Sequence, residues 1–294
     1  MPTRGAARPR RLRPGALRLV HPFPSVLNAL LVLGLALLAG ASPAIAGVLA
    51  LAMLALQFSI GASNDYFDAD LDARSKPAKP IPAGLVARRT AVAVALACGA
   101  LALLTAAALG PVVLLMAAVM LGAGLAYDAF LKGGPWAWTA YAVAFPILPL
   151  YAWYGASAEW PPRSELLLPL AALAGPALHL ANGLVDVESD RAAGLRTLAA
   201  VLGRRVGLAA MAVVLAGIHG LAWLTLVLGG GTSSAGMALV GLATLLAAAG
   251  LRLSAAVSPP ARERGWQAQA LSICLLALGW LASAVGERAG PGAA

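Results

Sequence analysis

Asn64-Asp65-Tyr66-Phe67-Asp68-Ala69-Asp70-Leu71-Asp72 follows directly on residues 46–63, an apolar run with no charged side chain. A run of that length suits a helix crossing hydrocarbon, which needs about 17–25 apolar residues. The change of composition at Asn64 therefore sets the acidic stretch at the membrane edge. Four residues of α-helix turn about 400°, so Asn64, Asp68 and Asp72 drift by only about 40° per step and share one face. The same spacing returns at Asn182, Asp186 and Asp190. With Asp65, Asp70 and Glu188, the two segments hold seven of the twelve acidic residues in the chain. Like charges four apart on a helix repel, and a divalent cation reverses that cost. The pattern reads as a two-part metal site.

The remainder of the chain supports a membrane setting. Of 294 residues, 61% are hydrophobic and 11% charged, too few polar groups to cover a soluble globule of this size. Nine apolar stretches are expected to be helices, at about 25–42, 46–63, 89–109, 111–130, 136–154, 166–185, 206–228, 236–254 and 267–286. Gly110-Pro111 predicts a turn between the third and fourth. The fold class is thus an all-α integral membrane bundle of about nine transmembrane helices. Residues 1–20 read as a basic N-terminal segment, 21–288 as a single transmembrane domain and 289–294 as a short tail.

Charge distribution orients the bundle. With the N-terminus in the cytoplasm, 19 of the 21 Lys and Arg residues fall on the cytoplasmic side, leaving only Arg163 and Arg288 outside. The positive-inside rule favours this orientation, and it sets both acidic segments on the cytoplasmic rim of a multi-pass protein of the cell membrane. The net charge of +9 then reflects topology and attraction to anionic lipid head groups. No nucleic-acid-binding motif accompanies it. The apolar run after the basic N-terminus is long enough to span and lacks a convincing small-residue cleavage site, so it reads as an uncleaved first helix. Cys98 and Cys274 both lie in apolar spans and read as buried small hydrophobes.

Each acidic segment ends an apolar helix and precedes a basic, helix-breaking loop, so the chain carries an internal repeat. In the first copy the loop runs from Arg74 through Lys76, Lys79-Pro80-Ile81-Pro82 and Gly84; in the second it runs from Arg191 through Gly194, Arg196 and Thr197 to Gly203. Two related halves around a central cavity follow from this arrangement. Carboxylates and amides are hard oxygen ligands suited to Mg²⁺, which leaves coordination positions for water and phosphate oxygens. Lys76, Lys79, Lys132 and Arg196 adjoin the carboxylates, where cations can offset charge on a departing diphosphate. A hydrocarbon tail would lie among the helices. Asp128 reads either as a site residue or as a solvated loop carboxylate. His179, three residues before Asn182, is a candidate cavity or acceptor-side residue.

These motifs resemble the signatures of the UbiA superfamily of intramembrane prenyltransferases. Asn64 to Asp72 is similar to the first signature, and Lys79-Pro80-Ile81-Pro82-Ala83-Gly84 to the loop that follows it. Asn182 to Asp190, with Gly194, Thr197-Leu198 and Gly203, resembles the second. Tyr127 and Lys132 match the Tyr and Lys after the fourth helix, and Arg18 matches the basic residue before the first. The resemblance implies a Mg²⁺-dependent enzyme that ionises an allylic polyprenyl diphosphate and transfers the prenyl group to an acceptor, often aromatic, in quinone, lipid or meroterpenoid biosynthesis. It implies that Asn64, Asp68, Asp72, Asn182, Asp186 and Asp190 organise metal, the four aspartates being catalytic. Arg18, Lys79, Tyr127, Lys132 and Arg196 would bind diphosphate, and Asp65, Arg74 and His179 are further candidates. Two positions depart from the family pattern: Lys79 stands where many members have Arg, and Gly183 where many have Asp. A membrane terpene cyclase of the same superfamily and a cation or phosphate-lipid transporter are the alternative readings.

Overall fold

The computed structural model describes residues 14–229 and 233–289. Most of the basic N-terminal segment and the last five residues lie outside that range. A short 3-10 helix, Pro14–Val20, leads into α1 (Pro22–Leu38), α2 (Pro43–Ser75), α3 (Arg88–Ala108) and α4 (Pro111–Ala126). A π-helical turn, Tyr127–Leu131, ends α4. Then come α5 (Trp138–Ser157), α6 (Ser164–Gly183), the six-residue α7 (Val187–Ala192), α8 (Leu198–Gly229), α9 (Ser234–Ser254) and α10 (Pro259–Ala289). No strand occurs among the described residues.

Local chemistry sets the helix starts. Ser42 caps α2 by accepting the Ile45 N–H at 3.3 Å, ahead of Pro43 in the first turn. Ser233 caps α9 through the Gly236 N–H at 2.9 Å. Both fit the preference for a hydroxyl acceptor at the N-cap, and α2 adds proline just inside it. Between α3 and α4, Gly110 adopts φ +122°, which a side chain would strain, and Pro111 opens the next helix. The expected turn is there.

Seven described helices are long and apolar enough to cross a membrane, and Pro22–Leu38 is a shorter apolar one. The stretch read as the fifth span is helical as α5 but falls outside that set. Trp138, Tyr141, Pro146, Pro149, Tyr151, Trp153 and Tyr154 lower its hydropathy. Apolar side chains such as Leu51 (67% exposed), Leu96 and Leu104 face outward, a surface that suits lipid rather than water. The protein is an integral membrane protein.

Helix pairing is tightest where side chains are absent. A Cβ added at Gly265 of α10 would lie 2.6 Å from Ser254 Oγ and 2.9 Å from the Gly250 carbonyl oxygen; one at Gly279 would lie 2.7 Å from the Gly236 oxygen. Small residues thus let the α9 and α10 backbones touch, the packing mode that operates where lipid removes any hydrophobic drive between helices. Cys98 and Cys274 are free thiols on α3 and α10.

Candidate active site

The first acidic segment keeps the helix register. Because α2 continues unbroken to Ser75, Asn64, Asp68 and Asp72 stand on one face. Asp72 and Asp65 are buried, Asp65 being 2% exposed. The loop after α2 folds back through hydrogen bonds from Ala83 N to the Lys79 oxygen (2.9 Å) and from Leu85 N to the Pro80 oxygen (2.9 Å), with Gly84 at φ +68°. That reversal returns Lys79 to the stripe. Its Nζ lies 2.9 Å from Asp65 Oδ1, 2.8 Å from Asp72 Oδ2 and 4.0 Å from Asp68 Oδ2. Burial works against the ammonium, yet its hydrogen bond to Asp72 and the charge of Asp65 outweigh that and hold its pKa above the usual lysine range.

Lys132 pairs with Asp68 from the end of the π turn. The same turn carries Asp128, whose Oδ1 accepts from Asn64 Nδ2 at 2.8 Å. Asp128 is therefore buried against the first acidic segment and is not a solvated loop carboxylate, and π turns of this kind recur at functional sites. Tyr127 packs edge-on against Tyr141 (ring centroids 5.4 Å apart) and His179 (5.8 Å), and Lys132 Nζ lies 6.0 Å from its ring centroid. His179 is buried beside Tyr141 at 4.9 Å, with its Nδ1 unpaired.

The second segment does not keep the register. The spacing predicts one helical face for Asn182, Asp186 and Asp190, but α6 ends at Gly183, and Asp186 (φ −107°, ψ 11°) precedes the short α7 as its cap residue. Glycine at 183 and the turn at Leu184–Val185 separate Asn182, which is exposed, from the two aspartates. Asp190 is held by Thr197, whose Oγ1 lies 3.3 Å from its Oδ2. Burial, and then the neighbouring Asp186 charge, push the Asp190 pKa up.

The two segments meet at one end of the bundle. Lys76 Nζ reaches Asp186 Oδ2 at 2.6 Å, joining the first loop to the second acidic segment. Arg196 enters through its backbone, its N–H bonding to the Gly133 oxygen at 3.0 Å. Arg18 and Arg74 are exposed. His21, not Arg18, reaches the stripe from the start of α1, its Nε2 3.1 Å from Asp65 Oδ1. Nothing in the sequence signalled that contact, because the two residues are 44 apart and no ligand spacing links them.

Among the described residues, no three acidic, His or Cys side chains form a ready metal cage. Lysine ammoniums hold the carboxylates instead. The donor set nevertheless suits a hard divalent cation, since it consists of carboxylate and amide oxygens. Asp65 Oδ2 and Asp128 Oδ2 are buried without hydrogen-bond partners.

Residues 25–271 match the model of the UbiA prenyltransferase family. The chain belongs to that family. It is 34% identical over 161 residues to the digeranylgeranylglyceryl phosphate synthase of Natronomonas pharaonis, covering 53% of this chain and 58% of the relative. To the synthase of the same name from Methanopyrus kandleri it is 33% identical over 191 residues, covering 65% and 70%. For the relative in Methanoregula boonei the figures are 36% over 145 residues, 48% and 51%. The chain thus spans between half and about two thirds of the length of these curated relatives. Among solved structures, the UbiA homologue from Aeropyrum pernix K1 superposes with a TM-score of 0.68 at 21% identity, over 87% of this chain and 96% of that one. A homologue from Archaeoglobus fulgidus bound to DMAPP and Mg²⁺ gives 0.67 at 21%, over 90% and 98%. These two likenesses establish the UbiA fold.

Proposed function

We propose that this UbiA-family enzyme uses Mg²⁺ to cleave an allylic polyprenyl diphosphate, with geranylgeranyl the favoured chain, and joins the prenyl group to a hydroxyl of a glyceryl phosphate lipid. The observation that carries the reaction class is the Lys76–Asp186 pair between the two acidic segments. It brings carboxylates of both halves to one end of the bundle, beside Lys79 and Lys132. The acceptor class rests on the relatives, whose name describes a glyceryl phosphate bearing two geranylgeranyl groups. An aromatic acceptor, the expectation from the superfamily at large, has no such support.

Asn64, Asp68, Asp72, Asp186 and Asp190 would hold the cation, with Asn182 available from the end of α6. Bound there, Mg²⁺ supplies Lewis-acid stabilisation of charge on the diphosphate oxygens. Lys79 and Lys132, released from the carboxylates by the cation, would turn their ammoniums to the diphosphate. Tyr127, between Lys132 and the Tyr141–His179 pair, would hold the first carbons of the chain near the break. The allylic C–O bond breaks with its electron pair on the diphosphate, the acceptor oxygen forms the new C–O bond, and its proton passes to the released diphosphate. By the positive-inside rule the site end and the N-terminus face the cytoplasm.

Reconstituted enzyme supplied with geranylgeranyl diphosphate, Mg²⁺ and geranylgeranylglyceryl phosphate tests this reading by product mass. A product one geranylgeranyl group heavier than the acceptor is expected. A prenylated aromatic from cell extract, with no ether lipid, would overturn the acceptor class, and a hydrocarbon formed without acceptor would identify a cyclase.

A further inference from the structure

Asp186 and Asp190 need support that the first segment obtains from its helix. Since α6 stops at Gly183 and α7 has six residues, no continuous helix fixes their positions against Asp68 and Asp72. The support comes from α10. Arg262, in its first turn, is 1% exposed and heads the fully buried side chains by volume. Its Nη1 and Nη2 donate to Glu188 Oε1 and Oε2 at 3.1 and 2.6 Å. Nη2 also donates to the Val185 carbonyl at 2.8 Å, and Nη1 to the Val257 carbonyl at 3.0 Å. One guanidinium thus grips the residue before Asp186 and the residue two beyond it.

The arrangement is costly for a purely structural contact. Burying a guanidinium forfeits hydration that a partly exposed partner repays poorly; Glu188 is 60% exposed and Arg262 Nε has no partner. A planar fork meets the geometric need, because it can bind a carboxylate with two parallel bonds and still reach a carbonyl. The anchor is itself firm. Helix α10 lies in backbone contact with α9 at Gly250 and Gly265, and Trp266, one turn beyond Arg262, packs edge-on against Phe23 of α1 at 5.5 Å.

We propose that Arg262, through its fork on Glu188 and the Val185 carbonyl, is a positioning residue for metal and diphosphate binding by Asp186 and Asp190. The proposal rests on the reading of this end of the bundle as the diphosphate site. It gives Glu188 a role that its place off the helical stripe concealed.

The test compares wild type, Arg262→Lys, Glu188→Gln, the double variant and the control Arg264→Lys in lipid. Two quantities are read: Mn²⁺ affinity by electron paramagnetic resonance in the presence of inorganic diphosphate, and the Mg²⁺ concentration for half-maximal diphosphate release. Each single variant is expected to weaken metal binding about tenfold, the size of effect typical for groups that orient metal ligands. The double variant should be no worse than the singles, because both remove one clamp, and Arg264→Lys should match wild type. If Arg262→Lys does not insert as a monodisperse protein, Glu188→Gln alone decides, since it leaves the buried guanidinium its carbonyl partners. Unchanged Mn²⁺ affinity in folded Glu188→Gln, or additive losses in the double variant, would overturn the proposal. Wild type that binds Mn²⁺ with diphosphate but turns over no prenyl substrate would refute the proposed reaction and leave the clamp standing.

Discussion

Asp68 and Asp70 stand two residues apart on α2 and have different surroundings. Asp68 faces Lys132 and Lys79, with its side chain 13% exposed, whereas Asp70 is 83% exposed and paired with Arg88 on the outer face. Replacing Asp68 by Ala is expected to lower turnover by at least about a hundredfold, as loss of a metal-organising group does, while leaving an inserted, monodisperse protein. Asp70→Asn removes only an exposed ion pair worth about 0–1 kcal/mol, so initial rates should stay within about twofold of wild type. Comparable losses in both would contradict the helical-face assignment. Lys79 gives a pH prediction. Its folded pKa is raised, so its stabilising contact is fully present below the ordinary lysine value of about 10.4 and is lost only as pH rises through the raised value. Hydrogen exchange across residues 76–87, corrected for intrinsic rate, should therefore remain protected between pH 7 and 9. Progressive loss of protection over that range would show that Lys79 does not hold the loop.

At the scale of elements, legibility followed helical continuity. The stripe Asn64–Asp68–Asp72 was readable because α2 runs through it, and the α3–α4 turn was readable because Gly110 and Pro111 have unambiguous backbone roles. The break at Gly183 was not readable as geometry: the repeated spacing suggested a second helix, and glycine at the end of an apolar run leaves both outcomes open. Lys76–Asp186, His21–Asp65 and Arg262–Glu188 depend on loop reversals and helix packing across 110, 44 and 74 residues, which no local pattern encodes. The α9–α10 contact offers a separate test of packing. Gly265→Leu forces a side chain against Ser254 and the Gly250 carbonyl, and should cost about 1–3 kcal/mol in reversible unfolding, as overpacking does. Gly217→Ala in α8, where an added Cβ meets nothing within 4 Å, should be neutral or stabilising by up to about 1 kcal/mol through helix propensity. Equal effects from the two would contradict close α9–α10 packing.

Across the whole molecule, the proposed reaction asks two environments of one bundle. Apolar helices would offer hydrocarbon to a prenyl chain, and the end that gathers carboxylates and ammoniums would take its diphosphate. On that proposal the ammoniums now on the carboxylates would yield to a divalent cation before diphosphate binds, so metal and substrate should bind with positive coupling. In the proposed reaction, carboxylates from both halves act as one metal-dependent ionisation site. The most direct test is diphosphate release from lipid-reconstituted protein given geranylgeranyl diphosphate, with and without Mg²⁺, in wild type, Asp68→Ala and Asp186→Ala. Release that requires Mg²⁺ and disappears in either variant is the predicted result; release that persists without metal, or survives in both variants, would contradict it.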